Sequence, residues 1–218
     1  IYASPFASLL LRERLTEHGL VSQTEVRTFR PGDTLTFRHF KVKTQSVNHS
    51  IIDSVALIID SPMGKIIHTG DFKIDPTPFL GDMIDLDVFG KAGDQGVALL
   101  MSDSTNVERH THSLSEHTIY KRFEQLFAEA QGLTVVSMFA SNVARMAQVL
   151  DLAHKLGKRV ALAGRTMEQN VRLGQELGHF RETHGVLIPI TEIDSFERNK
   201  IIVLSTGSQG EPRAALIR

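Results

Sequence analysis

The sequence predicts an α/β protein in two parts, and three observations carry that reading. From Thr34 to Ile67 apolar residues come in strand-like runs; Val97 to Met101 is a continuous apolar run of the buried-strand kind; after about Ser115 strand and helix patterns alternate strictly. Strict alternation implies a parallel sheet, because parallel strands need a crossover that is usually a helix. The first part reads as antiparallel instead, and the change of style places a boundary near Ser115 without a flexible linker.

The elements follow in order. Pro5 to His18 carries Phe6, Leu9, Leu10 and Leu15 at about helical spacing, and Gly19 suits a C-terminal cap, so a short helix opens the chain. Strands are expected over 37–47, 54–60 and 65–69, the last two joined by a Ser61-Pro62-Met63-Gly64 turn. Ser113-Leu114-Ser115-Glu116 has the spacing of a capping box, opening a helix expected to bury Ile119, Phe123, Leu126 and Phe127. Then come a strand at 133–139, a helix at 142–156, a strand at 159–163, a helix around 168–177, strands at 186–190 and 200–205, and a helix start at 212–218. No repeat or low-complexity segment interrupts the pattern.

Composition narrows the function classes. The 218 residues are 41% hydrophobic and 22% charged, which excludes collagen-like, coiled-coil and disordered chains. With 24 Lys+Arg against 25 Asp+Glu the net charge is -1, so any nucleic-acid contact must be local rather than a property of the whole surface. No run approaches the roughly 18 apolar residues of a membrane span. With no cysteine there is neither disulfide framework nor thiolate metal site nor cysteine nucleophile, which fits a reducing cytoplasm, the expected location. The chain opens on Ile1-Tyr2 and closes in what reads as a helical turn, so a fragment is expected.

Chemistry gathers at strand ends. The strand before Asn48-His49-Ser50, the strand before Gly70-Asp71-Phe72 and the strand before Ser102-Asp103-Ser104 each run into polar residues. If those ends share one sheet edge, an imidazole and two carboxylates converge, the ligand chemistry of a zinc or manganese site. Gly70 would let the backbone approach closely, and a carboxylate offers enough lone pairs to bridge two metals. Taken singly, His49 reads as a loop histidine and Gly70-Asp71 as a turn; only their coincidence points to a site. His110-Thr111-His112 sits in a polar stretch before a helix and reads as surface.

A second candidate lies in the later part. Ligands of parallel α/β sheets bind at strand carboxyl ends, where helix N-termini offer free N–H groups to anions. Phe139-Ala140-Ser141-Asn142, Gly164-Arg165-Thr166 and Thr206-Gly207-Ser208-Gln209-Gly210 are such loops, rich in hydroxyls and glycine, and suit a phosphate cradle. Ser141, Asn142 and Thr166 could equally cap their helices, and Arg165 could neutralise Glu168 or Glu211 as well as bind a phosphate. No Gly-Lys-Ser/Thr follows, so this is no P-loop. Lys121, Arg122, Lys155, Lys158 and Arg159 read as solvated helix ends.

The succession Thr44-Gln45-Ser46-Val47-Asn48-His49-Ser50-Ile51, Ile67-His68-Thr69-Gly70-Asp71-Phe72-Lys73, Ser102-Asp103-Ser104-Thr105-Asn106, Phe139-Ala140-Ser141-Asn142, Gly164-Arg165-Thr166-Met167 and Thr206 to Pro212 resembles the ribonuclease J family. That family belongs to the β-CASP group of the metallo-β-lactamase superfamily, and the resemblance covers essentially the whole chain. It implies a partial metallo-β-lactamase fold, a segment of its αββα sandwich, over residues 1–115, followed by part of a parallel-sheet β-CASP domain over 116–218. His49 would be a zinc ligand and Asp71 would bridge two zinc ions, with manganese also known in the family; the 71 − 49 = 22 spacing suits a hairpin between them. Asp103 would orient a ligating histidine or support proton transfer. Ser141, Asn142, Arg165 and Ser208 would contact RNA phosphates.

The implied activity is hydrolysis of RNA phosphodiester bonds, as 5′-to-3′ exonuclease on 5′-monophosphorylated single strands and as endonuclease, in processing and decay including that of ribosomal RNA. The implied assembly is a homodimer or homotetramer. One motif departs: the His-x-His-x-Asp-His run that supplies most metal ligands is not in this chain, nor are the later histidines. Two candidate ligands cannot hold a dinuclear site, so the isolated chain is expected to be inactive. Two rival readings remain: another β-CASP nuclease, acting on DNA or on messenger RNA 3′ ends, and a truncated relative that binds RNA or a partner without catalysis. The Thr206 to Pro212 run favours ribonuclease J among the nucleases.

Overall fold

The computed structural model describes residues 1–180, 185–210 and 214–217. The chain divides into two compact units, Ile1–Ser115 and Glu116–Arg218.

In the first unit β1 (Tyr2–Ala3) leads into α1 (Pro5–Glu17), where proline in the first turn leaves no intrahelical donor unsatisfied, since those N–H groups have no partner anyway. The helix stops at His18, with Gly19 at a positive φ of 67° just beyond it. The strand β2 (Arg27–Thr28) pairs parallel with β1. A five-stranded sheet follows: β3 (Thr34–Thr36), β4 (Lys41–Ser46), β5 (Val55–Ser61), β6 (Gly64–His68) and β7 (Leu99–Met101), in that spatial order.

The steps from β3 to β6 are antiparallel, as expected for the first part of the chain. The last step is not: β7 returns through α2 (Leu86–Asp94) and lies parallel to β6. The helix is capped at its start by Asp85, whose carboxylate accepts from the Asp87 N–H at 3.0 Å. Ile58, Ile67 and Ala92 form the core between sheet and helix, with Val88, Phe89 and Val97 against them.

The expected 37–47 strand is shorter, because the chain turns between Phe37 and Phe40, whose N–H and C=O pair at 2.8 Å, before β4 begins. The apolar run 97–101 is not a buried strand. All three residues of β7 are exposed, Leu100 to 60%; among the described residues β7 is the outer strand of the sheet and pairs with β6 alone.

The second unit opens with α3 (Glu116–Glu129). Its buried residues are Tyr120 and Phe127, while Leu126 is exposed and Phe123 stacks on Phe127 at 5.3 Å. The inward face is thus rotated from the predicted one, since a seven-residue step returns to the same side of a helix and the polar hydroxyl of Tyr120 finds partners. Asp151 accepts from that hydroxyl at 2.5 Å, and Lys155 donates to it at 2.6 Å.

Strands β8 (Thr134–Ser137), β9 (Arg159–Ala163), β10 (Leu187–Ile188) and β11 (Ile201–Ser205) form an all-parallel sheet in the order β10-β9-β11-β8, with α4 (Val143–Lys155) and α5 (Arg165–Glu176) in the crossovers. The strand β11 has a partner on each side and is buried at every residue, which its unbroken Ile201-Ile202-Val203-Leu204 run requires. Nine of the α4 residues are buried, Met146 and Leu152 completely, so α4 is the core helix of this unit. Ala161, Ile201 and Val203 pack with Leu133, Ile188 and Phe196 as a second cluster.

Of the helix start expected at 212–218, residues 212, 213 and 218 lie outside the described residues, and Ala215–Ile217 forms a 3-10 turn. Lys158, expected at a solvated helix end, is only 6% exposed; its Nζ donates to the carbonyl of Asn199. Among the described residues no helix is long and apolar enough to cross a membrane.

Candidate functional site

In the first unit β4, β6 and β7 all run the same way, because β5 lies antiparallel between β4 and β6 while β7 is parallel to β6. Their carboxyl ends therefore share one sheet edge, and His49, Asp71 and Asp103 stand on the three loops that leave it. His49 and Asp71 are exposed; Asp103 is half-buried.

Backbone bonds hold these loops together. Thr69 donates its N–H to the carbonyl of Met101 at 3.0 Å, and its hydroxyl accepts from the Asp103 N–H at 3.0 Å. Gly70 makes the turn before Asp71 with φ at 61°, and a Cβ there would stand 2.7 Å from the Val55 carbonyl oxygen, so only glycine fits.

Asp103 accepts from the backbone N–H of Thr105 at 2.8 Å through Oδ1 and of Phe72 at 3.4 Å through Oδ2. Its carboxyl is held below the ordinary value of 3.8, chiefly by the Thr105 backbone N–H, then by the Thr105 side chain, with Phe72 and the nearby His49 adding to the effect. A carboxylate so anchored stays ionised and accepts hydrogen bonds, which suits orientation of a neighbouring group better than donation of a proton.

Sequence reasoning passed over Asn48. It is buried, its Nδ2 donates to the carbonyl of Asp82 at 2.7 Å, and its Oδ1 accepts from the Ile84 N–H at 3.2 Å. Its own carbonyl accepts from the Lys73 N–H at 2.7 Å in an isolated antiparallel bridge. The side chain of Lys73 reaches the buried Asp75 at 3.2 Å. An asparagine beside a histidine just after a strand was the available signal.

The donor chemistry at this edge is of the kind zinc takes, but its number is short. Among the described residues no group of three or more His, Cys, Asp or Glu side chains is set to hold a metal ion, and both oxygens of Asp103 are already engaged by main-chain N–H groups. A hydrolytic zinc wants about three protein ligands. By themselves the described residues at this edge do not make a metal centre. His110 and His112 are exposed in the loop before α3.

In the second unit the parallel order brings the loops after β8, β9 and β11 to one edge. Asn142 caps α4, its Oδ1 accepting from the Arg145 N–H at 3.2 Å. Ser141 is exposed beside it, and Ser208 is exposed in the loop after β11. Arg165 is the first residue of α5 and exposed; among the described residues it forms no ion pair, with Glu168 or otherwise. Thr166 lies inside α5, and the cap position belongs to Gly164 at φ 122°, which provides no side-chain cap. A Cβ at Gly164 would lie 3.4 Å from the Thr206 hydroxyl, so the loops after β9 and β11 touch. Asn170, buried in α5, donates through Nδ2 to the Ala140 carbonyl at 2.6 Å and ties down the loop after β8. Glu211 and Pro212, the end of the last recognised run, lie outside the described residues.

Comparisons with known proteins agree in direction. Residues 131–218 match the family model for the ribonuclease J β-CASP domain. The chain is 38% identical over all of its length to Ribonuclease J 1 of Streptococcus pyogenes, covering 39% of that protein. It is 37% identical to Ribonuclease J of Helicobacter pylori, covering 32% of it, and 33% identical to Ribonuclease J2 of Bacillus subtilis, covering 39%. The chain thus spans between a third and two-fifths of the length of these relatives. A crystal structure of a protein of unknown function from Enterococcus faecalis V583 shares the fold with a TM-score of 0.61 over 93% of this chain and 52% of that one, at 15% identity. Matches to ribonucleases J run along the full length of the chain, and residues 131–218 match their β-CASP domain, so the chain is similar to a segment of these longer proteins.

Proposed function

We propose that the protein is a metal-dependent ribonuclease that hydrolyses RNA phosphodiester bonds, and that Ile1–Ser115 is part of its metallo-β-lactamase domain. The observation that carries this reading is the meeting of the His49, Asp71 and Asp103 loops on one sheet edge in a chain related to ribonucleases J. An imidazole and a carboxylate on adjacent loops are the donors a hydrolytic zinc uses, and His49 and Asp71 contribute to such a site, with manganese as the alternative metal.

The second unit supplies the RNA contact. Exposed Ser141, Arg165 and Ser208, with the capping Asn142, stand where strand carboxyl ends and helix N-termini face anions. A guanidinium and hydroxyls suit the 5′-phosphate of a single strand. The protein acts on such strands from the 5′ end and also internally, in the cytoplasm, as a homodimer or homotetramer. A second reading, RNA binding without catalysis, is favoured for the chain taken alone by the lack of a three-donor group among the described residues.

The experiment compares the 218-residue chain and the protein at its natural length on a 5′-monophosphorylated RNA. Cleavage and zinc content are expected only in the latter, with both lost in its His49→Ala and Asp71→Ala variants while the circular dichroism spectrum is kept. Unchanged metal content and rate in both variants would refute the assignment.

A further inference from the structure

We propose that Asn48 is a positioning residue that sets His49 against the Asp71 loop, an inference that rests on the reading of this edge as the hydrolytic site. Its three hydrogen bonds run to main-chain groups of two other segments: Asp82 and Ile84 through the side chain, Lys73 through its own carbonyl. His49 follows Asn48 directly, and Asp71 stands two residues before Lys73. The Asn48–Lys73 bridge therefore sets where the two candidate donors lie relative to each other, and the side-chain amide keeps that bridge in place.

The clamp is needed because regular pairing has ended. The ladder between β4 and β5 closes at Ser46, and Val47 makes the last strand-like bond, to the Ser54 carbonyl at 3.0 Å. Beyond it the Asp82–Ile84 stretch lies in no strand or helix, so neither partner is held by a ladder. A side chain that donates on one side and accepts on the other replaces those missing bonds.

The chemistry selects asparagine. Aspartate keeps the shape and the acceptor for the Ile84 N–H but has no donor for the Asp82 carbonyl, and alanine leaves both main-chain groups without partners in a buried position. Either change lets residues 48 and 49 shift relative to Lys73 and Asp103, whose carboxylate is close enough to His49 to feel it.

The test uses the protein at its natural length with a 5′-monophosphorylated RNA oligonucleotide, in the variants Asn48→Asp, Asn48→Ala and His49→Ala. Reacting groups held through a neighbour lose on the order of ten- to a hundred-fold in rate when that neighbour is removed. A loss of that size in kcat is expected for Asn48→Asp with KM unchanged, together with a shift of the His49 imidazole nitrogen resonances. A residue that served stability alone would leave both the kcat to KM split and those resonances unaltered in the folded variant.

If His49→Ala abolishes turnover while Asn48→Asp keeps kcat and the His49 resonances, the proposal is overturned and the site reading stands. If His49→Ala retains turnover, the site reading fails, and the resonances alone decide whether Asn48 positions His49. Should Asn48→Ala not fold, the near-isosteric Asn48→Asp carries the decision.

Discussion

Asn170 Nδ2 donates to the carbonyl oxygen of Ala140 at 2.6 Å, so a buried residue of α5 holds the loop that displays Ser141. Replacing it with Leu leaves that carbonyl without its donor inside the unit. Such a loss costs about 1–3 kcal/mol. Asn170→Leu should lower the urea midpoint accordingly and raise amide exchange at 139–142 above that of β11; an unchanged midpoint would show that the bond adds nothing net.

Gly70→Ala tests the turn before Asp71. The residue sits at φ 61° and its Cβ would meet the Val55 carbonyl oxygen at 2.7 Å. A left-handed backbone conformation alone costs a non-glycine residue roughly 1–2 kcal/mol, and the contact with immobile backbone adds to it. The variant should melt at lower temperature than the parent, and a Gly19→Ala control, which has a similar φ but nothing near its Cβ, should lose less.

Burial pushes the Lys158 ammonium below its ordinary 10.5, and Lys200 adds to the effect. The folded value lies below the unfolded one, so charged Lys158 opposes folding at neutral pH. That penalty shrinks as pH rises from the folded value toward 10.5 and disappears above it, where the amine is neutral in both states. Urea unfolding of parent and Lys158→Met from neutral pH up to that value should show the parent gaining stability relative to the variant; parallel curves would contradict it.

Arg165 and Ser141 are the sharpest candidates for a phosphate contact, being exposed on the loops after β9 and β8 at one sheet edge. Charge-assisted bonds to an anion are worth about 1.5–3 kcal/mol, equivalent to roughly ten- to a hundred-fold in affinity. Arg165→Ala in the protein at its natural length should lose most of any preference for a 5′-phosphate over a 5′-hydroxyl, and Ser141→Ala a smaller part. Equal rates on both ends in parent and variants would remove the assignment.

Local pattern was enough for the strand and helix alternation of the second unit. The apolar runs of β9 and β11 and the apolar periodicity of α4 each depend on neighbours within a few residues, and a parallel sheet follows from their alternation. The three polar strand ends were legible too, as residues, and so was the need for glycine before Asp71.

What the residues could not state by themselves was who their neighbours are. Val97 to Met101 looks like a buried strand because its composition is apolar, yet β7 is exposed and stands at the border of its sheet among the described residues. Lys158 looks solvated because lysine usually is, yet the Asn199 carbonyl receives it in the interior. Asn48 looks like an ordinary loop asparagine until Asp82, Ile84 and Lys73, all more than 20 residues away, close around it. Sequence therefore determined many of the strands and helices, though not α2, β1 or β2, and which chemical groups stand at their ends, since both depend on short-range pattern. Only the tertiary structure decided which ends meet, because strand order and direction arise from pairing between segments far apart in the chain.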